Sequence, residues 1–83
     1  MKIDVRYFAS LREQLGIAEL FEVAEGATVG QLRDLLMARS DVHAAALTRS
    51  RTIRCAVNKV LSLEDARLTD GAEVAFFPPV TGG

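Results

Sequence analysis

Three features of the 83-residue sequence predict an α+β fold, a mixed four- to five-stranded sheet with one main helix packed on one face. Residues Lys2 to Phe8 alternate apolar and polar, the period of a half-buried strand. An amphipathic helix with its own capping signal follows a second strand. A last apolar run stops at Pro78-Pro79, neither of which can donate to a sheet ladder. One core is expected, because the length is that of a single domain, and 49% hydrophobic with 25% charged residues is near the globular average.

In the opening strand Ile3, Val5 and Tyr7 share one face, and Asp4 and Arg6 the other. Ser10 and Glu13 have capping-box spacing, Leu11 and Leu15 lie four apart, and Gly16 suits a left-handed C-cap, so a short helix is expected there. Leu20 to Val23 reads as the second strand, ended by a turn at Glu25-Gly26. Thr28 with Gln31 repeats the capping-box spacing at the main helix, Val29 to Ala38. Val29, Leu32, Leu35 and Leu36 form its apolar stripe, with Gln31, Arg33 and Asp34 facing away. Asp41 to Leu47, with three consecutive alanines, predicts another short helix, and Thr48 to Thr52 a polar, basic loop. Ile53, Cys55 and Val57 alternate as a third strand, and Asn58-Lys59 turns the chain into a brief apolar stretch at Val60 and Leu61. Asp70-Gly71 is a further turn, and Glu73 to Phe77 is the final strand.

A hairpin, one helix crossing the sheet, and strands returning beside the first make the β-grasp arrangement of ubiquitin-like domains. A right-handed crossover sets the last strand parallel to the first. A ferredoxin-like split βαβ fold would need a second long helix before the final strand, and Leu61 to Asp70 is too short and too polar for one. The folded domain is expected over residues 1–77, with 78–83 a flexible tail.

Composition removes several functions. Ten basic against eleven acidic residues, scattered rather than blocked, leave no basic face for nucleic acid. No apolar run approaches the ~20 residues of a membrane span and no signal-peptide pattern follows Met1, so a cytoplasmic location away from membranes is expected. One cysteine and one histidine, Cys55 and His43, cannot supply the ligands of a zinc site, so no metal is expected. Cys55, alternating with Ile53 and Val57, reads as a core filler rather than a reactive thiol. His43 reads as a surface histidine, and Glu64-Asp65 as part of a solvated loop. No glycine-rich phosphate cradle follows a strand, and no bound cofactor is expected.

The two aromatic pairs and the terminus are harder to explain as packing alone. Tyr7-Phe8 and Phe76-Phe77 cannot point all four rings inward, so one ring of each pair must face out. After Pro78-Pro79 the tail Val80-Thr81-Gly82-Gly83 can project at most about 20 Å from the sheet, counted from Pro78. Its last two residues have no Cβ, which lets backbone thread a narrow channel and leaves the terminal carboxyl unhindered.

Phe76-Phe77-Pro78-Pro79-Val80-Thr81-Gly82-Gly83, with Leu68-Thr69-Asp70-Gly71, Val57-Asn58, Tyr7-Phe8-Ala9 and Leu11-Arg12-Glu13, resembles the MoaD family, the small-subunit type of molybdopterin synthase. The likeness covers nearly the whole chain, and the Phe-Phe-Pro-Pro step is more specific than Gly-Gly. It implies a sulfur carrier whose working group is the Gly83 carboxylate. A ubiquitin-activating-type adenylyltransferase would use ATP to join Gly83 to AMP, and sulfur from a donor protein would replace the AMP. The resulting thiocarboxylate would give its sulfur to cyclic pyranopterin monophosphate, building the dithiolene of molybdopterin in a large subunit that supplies the catalytic side chains. The resemblance further implies a heterotetramer, a docking face of Phe8, Leu61 and Phe77 rimmed by Arg12, and a tail of Val80, Thr81 and Gly82 leading to Gly83. Three alternatives stand beside it: a carrier for thiamine or tRNA thiolation, a ubiquitin-like modifier conjugated through Gly83, and a ligand-binding or electron-transfer β-grasp domain. The iron-sulfur form of the last needs four cysteines.

Overall fold

The computed structural model describes residues 1–79. The tail positions Val80, Thr81, Gly82 and Gly83 lie outside the described residues. The elements run β1 (Lys2–Tyr7), α1 (Ser10–Leu15), β2 (Ala18–Glu22), α2 (Val29–Met37), α3 (Asp41–Ala46), β3 (Arg54–Val57), β4 (Val60–Ser62) and β5 (Glu73–Phe77). The sheet order is β2-β1-β5-β3-β4, with β1 and β5 parallel and the other neighbours antiparallel, a β-grasp topology.

The core lies between one sheet face and α2. Ile3, Val5 and Tyr7 of β1 and Val74 and Phe76 of β5 meet Val29, Leu32 and Leu36 of α2, all essentially without solvent contact. Each such side chain contributes about 1.5 to 3 kcal/mol. The capping box of α2 is formed: the Gln31 N–H donates to Thr28 Oγ1 at 3.2 Å, and the Thr28 N–H donates to Gln31 Oε1 at 2.9 Å.

The helix stripe differs from its sequence pattern. Leu35 is 46% exposed, and Arg33, expected to face away, is 3% exposed. At about 100° per residue, positions 29, 32, 33 and 36 make one face and 35 falls off it, so geometry places Arg33 inside despite its charge. Burial is tolerated because the guanidinium is fully engaged. It donates to the Leu47 and Thr48 carbonyls at 2.8 and 2.9 Å and to Glu64 Oε2 at 2.6 Å.

Two further expectations change. The helix N-cap at α1 is Ala9, with φ 54° and no side-chain cap, so Ser10 is already inside the helix and the Ser10-Glu13 box does not form. The second strand starts earlier than Leu20 and pairs Ile3 with Phe21 and Val5 with Glu19, which turns Phe21 inward and leaves Leu20, opposite Asp4, exposed. Ser40 caps α3 by accepting the His43 N–H at 3.1 Å. The Asn58-Lys59 turn joins β3 to β4 with both residues at positive φ, 49° and 69°, as a two-residue hairpin requires. Among the described residues no helix is long and apolar enough to cross a membrane.

Candidate functional site

The sheet face away from α2 is open, and strand register determines what it presents. Arg6 lies beside Ala75, Ala75 beside Ala56, and Ala56 beside Leu61, one row crossing β1, β5, β3 and β4. The next row, toward the end of β5 from which the tail departs, brings Phe77 opposite Arg54. Phe8 continues β1 beside it, its N–H donating to the Phe76 carbonyl at 3.1 Å.

Alternation divides the aromatic pairs. Tyr7 and Phe76 are buried and stack with ring centroids 6.4 Å apart, while Phe8 is 46% exposed and Phe77 half-buried. Phe8, Phe77, Ala56, Ala75, Lys59 and Glu73 line a shallow, largely apolar cleft of about 460 Å³. Leu61, exposed on the same face next to Ala56, extends it. Arg12 is exposed one turn beyond Phe8, its N–H donating to the Phe8 carbonyl at 3.4 Å, but its side chain is not part of the cleft lining. The cleft cation is Lys59, which sequence pattern alone passed over. Its signal was the Asn58-Lys59 turn, whose tight hairpin carries Lys59 back to the open face.

The other polar residues considered as chemical candidates, Cys55, His43 and Glu64, do not contribute to this cleft. Cys55 is buried, and its thiol donates to the Ser62 carbonyl at 3.2 Å. Burial first, then the nearby Glu64 charge, push the thiol pKa up, the environment of a core residue rather than a nucleophile. His43 is not a free surface residue. Its Nε2 lies 2.9 Å from Glu19 Oε2 and its Nδ1 2.7 Å from Ser40 Oγ. Glu19 also accepts from the Tyr7 hydroxyl at 2.8 Å and pairs with Arg39. Nor is Glu64 merely solvated, since it bridges Arg33 and Arg49, with Arg49 at 2.5 Å. Sequence could not foresee either network, because both join residues a dozen or more positions apart whose meeting only folding decides. Among the described residues no group of three metal-ligating side chains occurs.

The ThiS family model matches residues 5–83, from β1 through the final glycine. The chain belongs to the ThiS family. The molybdopterin synthase sulfur carrier subunit of Escherichia coli is 47% identical over 98% of this chain and 99% of its own, which makes this a MoaD-like member of the family. Small archaeal modifier protein 3 of Haloferax volcanii is 34% identical, each chain covered in full. The crystal structure of small archaeal modifier protein 1 from Haloferax volcanii superposes with a TM-score of 0.77 at 27% identity, covering 95% of this chain and 98% of that one.

Proposed function

We propose that this ThiS-family chain is the sulfur carrier subunit of a molybdopterin synthase, delivering sulfur as a thiocarboxylate on Gly83 to a large subunit docked on the open sheet face. The observation that carries this reading is the 47% identity to a sulfur carrier subunit across 98% of the chain. It is supported by an apolar cleft lined by Phe8 and Phe77, the last residue of the strand that leads into the Gly-Gly terminus.

The chemistry follows from the limits of a carboxylate. Its oxygen is a poor leaving group, so an adenylyltransferase joins the Gly83 carboxylate to AMP, with loss of pyrophosphate from ATP. A sulfur donor at the oxidation level of sulfide attacks the acyl carbon and releases AMP, leaving the thiocarboxylate. The ATP is held by the activating enzyme and not by this domain. In the large subunit the thiocarboxylate sulfur bonds to a carbon of the cyclic pyranopterin monophosphate as that carbon's bond to oxygen breaks, and hydrolysis of the acyl-sulfur bond leaves the sulfur on the pterin and restores the Gly83 carboxylate; two such transfers complete the dithiolene. This chain's own groups dock and orient: Phe8, Leu61 and Phe77 form the contact, Arg12 its rim, and Val80 and Thr81 lead to Gly82 and Gly83, whose missing side chains admit the tail. Large and small subunits pair as a heterotetramer in the cytoplasm, a reducing compartment in which free thiols persist.

Intact mass of the chain purified from its native cells tests this. A fraction should carry one sulfur in place of one oxygen, confined to the C-terminal peptide. Absence of that species from cells actively making the cofactor would refute the proposal. The likeness to small archaeal modifier protein 3 favours a second reading, amide conjugation of Gly83 to lysines, for which Gly83 isopeptides in cell digests are the signature.

A further inference from the structure

We infer that Arg54 is a specificity residue of the docking face, pairing with a carboxylate that the large subunit presents within an otherwise apolar contact. This rests on the docking proposed above. Register puts Arg54 in the most apolar row of the open face. Phe77 lies directly opposite on β5, and on the other side, one step past the Cys55–Ser62 pair, stands Leu63, 75% exposed. Phe8 is the next residue beyond Phe77. Arg54 and Leu63 also line a second shallow cleft of about 220 Å³ that continues the surface past β3.

Arg54 is exposed, and among the described residues no carboxylate lies within ion-pair distance of it. The nearby acids are committed elsewhere. Glu64, which shares the 220 Å³ cleft, is held by Arg33 at 2.6 Å and Arg49 at 2.5 Å, and Glu73 lies 3.7 Å from Arg6. In the free domain this is harmless, since water solvates the guanidinium. A partner that covers Phe8, Phe77 and Leu61 strips that water away. A guanidinium buried without a counter-charge is strongly unfavourable, whereas a planar, forked pairing with a carboxylate compensates it and fixes orientation. A purely apolar partner surface is therefore selected against, and an acidic side chain facing Arg54 is selected for.

The test titrates the purified large subunit with the wild-type chain and with Arg54→Leu, Arg54→Glu and Phe77→Ser, at low and high salt. Thermal unfolding of each variant confirms that it is folded, which exposure of Arg54 leads us to expect. If a partner carboxylate faces Arg54, Arg54→Leu strands it and weakens binding at least about 30-fold, and Arg54→Glu weakens it further. Wild-type affinity should then fall with salt more steeply than that of Arg54→Leu. If the facing surface is apolar, Arg54→Leu binds as well as the wild type or better, which overturns the inference alone. Wild-type binding that Phe77→Ser leaves untouched, or no wild-type binding at all, overturns the docking face and this inference with it.

Discussion

Replacing Phe8 by alanine should separate docking from folding. Phe8 is 46% exposed in the free domain and is not among the side chains packed on the core. A phenylalanine presents on the order of 200 Å², so about 90 Å² of ring remains for a partner to cover. At about 25 cal/mol per Å² that is about 2 kcal/mol, or about 30-fold in Kd. The slightly larger part already covered in the cleft is worth, by the same coefficient, about 2 to 3 kcal/mol to folding, lowering Tm by roughly 10 to 20 °C without unfolding a domain of ordinary stability. Calorimetric titration of the large subunit, at a temperature where circular dichroism shows both chains folded, reads the first effect, and thermal melts read the second. Leu20→Ala is the control: it removes a more exposed apolar side chain, but at the β2 edge opposite Asp4, far from the cleft, and should leave Kd unchanged. A Phe8→Ala complex within threefold of wild type, or equal losses for Phe8→Ala and Leu20→Ala, would refute the reasoning.

Other outcomes follow from the same structure. Leu32→Ala should cost about 2 to 5 kcal/mol in urea unfolding while Leu35→Ala costs less than about 1, because only Leu32 is enclosed. In Glu19 and Glu64 burial raises the pKa, but hydrogen bonds from His43 and Tyr7 to the first, and from Arg49 and Arg33 to the second, outweigh it and leave both below the ordinary value near 4.5. Their stabilisation is therefore complete above that pH and lost as pH falls through the folded values, so the urea midpoint should drop on acidification and Glu64→Gln should flatten the drop. Deleting Gly83 should leave folding and large-subunit binding intact while abolishing sulfur loading, whereas Cys55→Ala should still load; loading that depends on Cys55 and not on Gly83 would make this a thiol protein.

Much of the fold was legible because it rests on short-range patterns. The alternation of Ile3, Val5 and Tyr7, the Thr28-Gln31 box, the Asp70-Gly71 turn and the stop at Pro78-Pro79 each act within a few residues, and the parallel pairing of β1 with β5 follows from crossover handedness. The aromatic pairs were legible for the same reason, since a two-residue period decides which ring turns out. For Arg33 the helical period already gives the inner face, but what lets a charge stay there was not legible, because the Leu47 and Thr48 carbonyls are brought to it by a loop more than a dozen residues on. The Glu19 and His43 contact joins the edge strand to α3 and has no local signature. Past Pro79 the described residues end, so the tail can be read from sequence alone, as Val80-Thr81 and the two terminal glycines.

The register of β5 against β1 connects these levels. Side chains alternate along a strand, so slipping β5 by one residue would bury Phe77, expose Phe76 and break the stacked Tyr7–Phe76 pair. The same slip would move the start of the tail by about 3.3 Å, while a misplacement of 1 Å at a reacting carbon can cost about a hundredfold in rate. Bonds at both ends of the strand oppose it. Before β5, the Lys2 N–H donates to Asp70 Oδ1 and the Gly71 N–H to the Lys2 carbonyl, each at 2.8 Å. At its start the Glu73 N–H donates to Asn58 Oδ1 at 3.0 Å, and near its end the Phe76 carbonyl accepts from Phe8 at 3.1 Å. Asp70 and Asn58 are exposed residues of turns, yet their side chains help hold a register on which the core, the proposed docking face and the exit of the chain past Phe77 depend. A substitution such as Asn58→Gly keeps the positive φ that the hairpin needs and removes only the bond to Glu73. Its cost should therefore appear in the cleft and in sulfur delivery as well as in the melting temperature.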